Sequence, residues 1–158
     1  MTLPADPHAL ARRCAELMME GDEATRSLGI ELADIGPGRA RMEMDVTRAM
    51  LNGHGACHGG VIFTLADSAF AFACNSRGDR AVAFQCAVTF LAPGRCGDRL
   101  VATAEERASA GRTGLYDVRV ATSDGRLVAE FRGCSRTIGS FADAPGGASG
   151  PDAATAQT

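Results

Sequence analysis

The stretch His58–Asn75, HGGVIFTLADSAFAFACN, limits what this chain can fold into more than any other. Its length and composition predict one helix that is apolar on nearly every face, through Val61, Ile62, Phe63, Leu65, Ala66, Ala69, Phe70, Ala71, Phe72, Ala73 and Cys74. A helix that is hydrophobic all round is a buried helix. At ~1.5 Å per residue it would run roughly 27 Å, about the width of a small domain. It is not a membrane span, because Thr64 and Ser68 interrupt the apolar run and Asp67 sits at its centre. Asp67 is the only charged side chain between Gly59 and Asn75. An unpaired carboxylate is costly to bury, and its pKa rises unless something pairs with it. A lone acid in that place needs a reason.

The rest of the chain changes period around this helix. Asp6-Pro7 reads as an N-cap with proline at the first helical position. It opens a helix over Pro7–Glu20, with Leu10, Cys14, Leu17 and Met18 on one face, that Gly21 ends. Residues 1–24 therefore form a helix and connector. From Gly29 the period drops from about 3.6 to 2. Ile30 to Ile35 and Arg39 to Val46 form a hairpin about Gly36-Pro37-Gly38, with Ala40, Met42, Met44 and Val46 inward. Thr47 to Cys57 is an irregular loop. After the helix come strands over Ala81–Leu91, Arg99–Arg107, Leu115–Thr122 and Leu127–Ile138. In the first of these, Val82, Phe84, Cys86, Val88 and Phe90 share a face; Asp124-Gly125 marks a hairpin turn. Residues 139–158 are rich in Ala, Gly, Pro and Ser and are expected to be a disordered tail.

Two strands, a buried helix and four strands with short links imply an α+β domain over residues 25–138, one antiparallel sheet curled around one long central helix. The strand order does not follow from the sequence. Such a sheet has edges that need covering, and closed two-fold pairing is the commonest solution, so at least a homodimer is expected. A formal charge of −3 over 158 residues argues against a nucleic-acid surface, which is usually basic. No charged segment followed by an apolar run opens the chain, so no signal peptide is expected and a cytoplasmic location follows by default. The six cysteines form no CxxC pair and read as reduced thiols.

The runs Met50-Leu51-Asn52-Gly53-His54, Cys57-His58-Gly59-Gly60 and Leu65-Ala66-Asp67 resemble the hotdog-fold acyl-CoA thioesterases, and most of all the phenylacetate-degradation thioesterases. Ala73-Cys74-Asn75-Ser76, Phe90-Leu91-Ala92-Pro93-Gly94, Gly97-Asp98, Thr113-Gly114-Leu115-Tyr116-Asp117 and Phe131-Arg132-Gly133 extend the likeness over about residues 25–138. The resemblance implies a hotdog protomer, a dimer with a shared sheet, commonly a homotetramer built from two dimers, and hydrolysis of an acyl-CoA thioester without a cofactor.

Thioester hydrolysis needs a group that polarises the carbonyl, a group that delivers oxygen, and a seat for the CoA. The Gly59 N–H, at the helix start, has no intrahelical partner and can stabilise an oxyanion; the plain alternative is that Gly59-Gly60 only lets the loop pack. Asp67 would be the base that activates water or the nucleophile that forms an anhydride. The two lie eight residues apart on one helix, roughly 12 Å, whereas catalytic contacts need roughly 3 Å. If both act, Asp67 comes from the other subunit. By resemblance Asn52 orients the water or the carboxylate; an Asn-Gly turn is its structural alternative. His58 either contacts the substrate carbonyl region or anchors the loop. Arg112 and Thr113 in Gly111–Gly114, and Arg95 with Arg99 near Pro93-Gly94, are candidates for the CoA phosphates. Phe84 and Gln85 are candidates for shaping the acyl pocket. His54, Cys57 and His58 lack a second ligand pair, so no metal is expected. Two further functions stand beside hydrolysis: a hotdog dehydratase or hydratase using His58 with Asp67, and a non-catalytic acyl-CoA-binding protein.

Overall fold

The computed structural model describes residues 1–143. Helix α1 spans Pro7–Gly21, with Asp6 accepting from the Ala9 N–H at 2.7 Å and Pro7 in the first turn. Asp22 ends α1 and caps the short α2, Glu23–Ser27, through the Thr25 N–H and hydroxyl. The Thr25 hydroxyl is buried and lies 3.0 Å from that of Ser68, which ties this connector to the central helix.

Strands β1 (Glu31–Gly36), β2 (Arg39–Asp45), β3 (Asp79–Phe90), β4 (Arg99–Ala110), β5 (Thr113–Thr122) and β6 (Leu127–Ser140) form one antiparallel sheet in the order β1-β2-β4-β5-β6-β3. The central helix α3, Gly59–Cys74, leaves the sheet after β2 and crosses one face. It returns the chain to the far edge as β3. The fold is therefore the α+β sheet around one helix that the sequence implies. The alternation read in β2 holds, since Ala40, Met42 and Met44 are fully buried against α3 with Leu65, Phe70 and Phe72. Among the described residues, no helix is long and apolar enough to cross a membrane.

β3 departs from the simple alternation. On β6 the buried, inward residues flanking Gly133 are Phe131 and Ser135, and Gly133 lies beneath the Phe70 ring. Their partners on β3 are Val88, Ala83 and Cys86. The register slips between Ala83 and Gln85, leaving Phe84 as the extra residue of a bulge. Below it the faces exchange. Val82 and Phe84 turn outward, 47% and 53% exposed, and Phe84 packs under the Arg136 guanidinium instead of joining Cys86 and Val88. Strand β6 also runs two residues past Ile138. A short turn over Phe141–Asp143 follows, with Phe141 buried and its N–H bonded to the Gly78 carbonyl at 2.9 Å. The expectation of a disordered tail thus fails for residues 139–143; for residues 144–158 it lies outside the described residues.

Asn75 locks the end of α3 to the start of β3. Its amide donates to the Ala71 and Ala81 carbonyls and its oxygen accepts from the Ala81 N–H. Gly133 is required by packing, because a Cβ there would lie 2.9 Å from Phe70 ring carbons. Overpacking of this kind costs about 1–3 kcal/mol. Gly133→Ala should therefore lower the melting temperature by several degrees, measured by calorimetry; an unchanged melting temperature would show that Phe70 has room to move.

Candidate active site

The loop before α3 is built around one side chain. The Asn52 carboxamide oxygen accepts from the His54 N–H at 2.9 Å and the Ala56 N–H at 3.2 Å, while the Asn52 N–H donates to the Ala56 carbonyl at 2.8 Å. The turn role of Asn52 is present: its oxygen holds the loop, while its NH₂ makes no hydrogen bond among the described residues. The His58 N–H bonds to Met50 and the Cys57 N–H to Gly94, pinning the loop to the start of the helix.

His58 is the N-cap of α3. Its Nδ1 accepts from the Gly60 N–H at 2.9 Å, so the proton of the neutral ring sits on Nε2. This is the anchoring alternative, and within one chain His58 is committed to the helix end rather than paired with Asp67. A Cβ at Gly60 would press on that ring at 3.1 Å, and one at Gly59 would meet the Phe90 ring at 3.0 Å. Both glycines therefore have a packing reason. Gly59 also keeps its N–H without an intrahelical acceptor, at the positive end of the helix dipole. Asn52, Gly59, Ile62, Phe90 and Pro93 line one cavity of about 370 Å³.

Asp67 lies elsewhere. It opens into a second cavity of about 380 Å³, whose walls include Phe70, Ala71, Cys74 and Ala83. Its carboxylate is half-buried, and no cation pairs with it among the described residues. The Cys86 thiol lies 3.9 Å from Oδ1, a long contact in which sulfur donates. Burial pushes the Asp67 carboxyl above the ordinary carboxylate range, with the thiol pulling partly the other way. Burial, helped by the negative Asp67, pushes Cys86 up to about 11, so it stays a thiol and a donor. The inward placement of Cys86 was legible as strand alternation; its contact with Asp67 was not.

The remaining candidates separate. Phe84 and Gln85 are exposed beside the bulge and line neither cavity; Ala81 and Ala83 of the same strand line the second cavity instead. Arg95 is exposed near the first cavity, with its N–H bonded to Asp98. Arg99 is bound by Glu31, Glu43 and Asp45, which leaves it a poor phosphate ligand. Arg112 donates to the Thr137 carbonyl, and with Thr113 it borders a small polar cleft of about 140 Å³ beside Glu106 and Tyr116. The structure thus brings together Asn52 and Gly59, and leaves Asp67, Arg112 and Thr113 apart from them within one chain.

Comparison with known proteins places this geometry. The family model of the thioesterase superfamily matches residues 54–129. The acyl-coenzyme A thioesterase PaaI of Escherichia coli is 48% identical over 125 residues, covering 79% of this chain and 89% of that protein. The solved structure of the E. coli PaaI protein from the phenylacetic acid degradation operon superposes with a TM-score of 0.84 at 45% identity, covering 85% of this chain and 98% of that one. A Streptococcus mutans protein solved with acetyl-CoA bound is 27% identical, with a TM-score of 0.68, over 70% of this chain and 90% of that one. The chain belongs to the hotdog-fold acyl-CoA thioesterases, in the family of the phenylacetate-degradation thioesterases, and is a thioester hydrolase.

Proposed function

We infer that the enzyme hydrolyses an aryl- or arylacetyl-CoA, phenylacetyl-CoA or a hydroxylated phenylacetyl-CoA, to the free acid and CoA, at a site shared between two subunits. One observation carries the reading: Gly59 and Asp67 line different cavities of the same chain. Both groups suit the chemistry, and a carbonyl can reach both only if the second comes from a partner. The described residues offer a surface for that partner. β3 is an edge of the sheet with twelve residues, and Val82, Phe84, Phe90 and Leu91 along it are about half exposed. A long, apolar, unpaired edge invites another strand. The half-covered stripe of α3, Phe63, Thr64, Asp67 and Ala71, borders that strand through Asp67 and Ala71, which share a cavity with Ala81, Val82 and Ala83. Two such dimers would make the tetramer that the family resemblance implies. The E. coli relative's phenylacetic acid operon supports the arylacetyl group, and the acetyl-CoA-bound neighbour supports a CoA seat on this fold.

In the shared site the thioester oxygen rests on the Gly59 N–H, where a developing negative charge meets the helix dipole. Asp67 of the other subunit either takes a proton from water as that water adds to the carbonyl, or adds to it directly; collapse of the adduct expels the CoA thiolate, leaving the free acid in the first case and a mixed anhydride in the second, which water then hydrolyses to the free acid and the Asp67 carboxylate. Asn52 presents its NH₂ to the water or to the carboxylate, and His58 holds the first turn of the helix in register. Arg95, and the part of the Arg112 guanidinium left free by Thr137, are the cations offered to the CoA phosphates, with Thr113 beside Arg112.

Asp67→Asn should lower CoA release from phenylacetyl-CoA by about 100-fold or more in an assembly of unchanged size; unaltered release would remove Asp67 from the chemistry. The raised pKa of Asp67 makes two further predictions. The reaction needs the carboxylate, so kcat/KM should climb with pH on an acid limb lying above the ordinary aspartate value. The ionised, buried group also disfavours the folded state once pH exceeds its unfolded pKa. Asp67→Asn should therefore melt higher than wild type at neutral pH, with the difference vanishing at low pH; a lower melting temperature at neutral pH would mean that the carboxylate has an unseen partner.

The shared site is tested by mixing. Asp67→Asn and Asn52→Ala chains, each nearly inactive, are unfolded together and reassembled. Mixed dimers carry one intact site of two, so activity should recover to about a quarter of wild type for a two-fold assembly. Recovery no greater than the sum of the parents would place each site within a single chain.

A further inference from the structure

The cavity beside Asp67 continues along α3 past Ala71 to Asn75. These residues are spaced by four, so they share a face, and the run covers roughly 12 Å. Its interior is apolar. Asn75 spends its polar atoms on Ala71 and Ala81, and the Asn75 amide also reaches the Cys74 sulfur. Arg80 stands at the exposed rim. Three side chains from outside the superfamily's matched region complete the wall, the exposed Ile138 of β6, Met18 of α1 and Phe141 after β6. Met18 and Phe141 are anchored independently. Met18 rides on a helix held down by the buried Ala11, Cys14 and Ala15. Phe141 is buried and fixed by its N–H bond to Gly78, on the turn between α3 and β3.

We propose that this cavity receives the acyl group of the thioester and that Met18 and Phe141 set the largest acyl group admitted; the assignment rests on the thioesterase reading above. A carboxylate at one end of an apolar slot fits a substrate whose reactive carbonyl meets the acid while its hydrocarbon end extends along the helix. Its volume of about 380 Å³ is small for a ligand pocket, so the end walls decide what fits. One methylene too many in such a slot is worth about tenfold or more in kcat/KM.

The test uses the full-length enzyme with butanoyl-, hexanoyl-, octanoyl- and phenylacetyl-CoA, in wild type, Met18→Ala, Met18→Phe and Phe141→Ala. In parallel, calorimetry measures binding of the S-alkyl-CoA thioethers of the same lengths, which cannot be hydrolysed. Met18→Ala and Phe141→Ala should raise the octanoyl-to-butanoyl ratio of kcat/KM by about tenfold, and Met18→Phe should lower it by a similar factor. The thioether affinities should follow the same order. Met18 is only half-buried, so its variants keep the test alive if Phe141→Ala unfolds. CoA release with length ratios unchanged in both Met18 variants overturns the cavity assignment and leaves hydrolysis standing. A thioether ladder that shifts with Met18 in an enzyme releasing no CoA upholds the cavity and overturns hydrolysis.

Discussion

α3 is apolar on nearly every face, and a single chain has too few walls to cover it. The sheet supplies one side through β2, β4 and β5, and α2 touches another through the Thr25–Ser68 contact. The stripe holding Phe63, Asp67 and Ala71 is left half-covered. Most features of the molecule answer this demand. The helix crosses from the β2 side to the opposite edge, so the strand that follows it becomes that edge, and the half-covered stripe borders that unpaired strand at Asp67 and Ala71. In the proposed reading, that one constraint leaves both an interface and a site to be completed by a second subunit in the same place.

The two ends of α3 do different work for reasons that lie in helix physics. At the start, His58 and the pinned loop hold the first turn while leaving the Gly59 N–H free. Unpaired donors exist only in that turn, so an oxyanion site built on this helix has nowhere else to be. At the middle, backbone groups are already paired and only side chains can act. A carboxylate there gains what an exposed one lacks, a surrounding of low polarity that makes it a stronger base once ionised.

Much of this was legible from the residues. Strong patterns with local causes carried the reading: the apolar run of α3, the Asp6-Pro7 cap, the alternation through Met42 and Met44, and the Asn52 turn. β3 misled at Val82 and Phe84 because a bulge is a pairing event; nothing local at Phe84 announces the extra residue that turns the faces over. The strand order was illegible for the same reason, since it depends on where α3 delivers the chain. The C-terminal limit was missed because one aromatic, Phe141, in an Ala- and Gly-rich stretch carries no period. Its place becomes evident only when Gly78 is beside it. For the site, residue types near the helix start were readable, whereas Arg99 looked available until three acids from β1 and β2 closed on it.

The placement of Asp67 also bears on how such a protein is improved by selection. On the proposed mechanism, a group that opposes folding while it enables the chemistry makes stability and activity pull apart at one codon. A library screened for heat resistance alone would collect neutral replacements at this position and report them as successes. Screening for turnover after heating keeps the acid, and directs stabilising changes to the other walls of the helix, where no reaction depends on a charge.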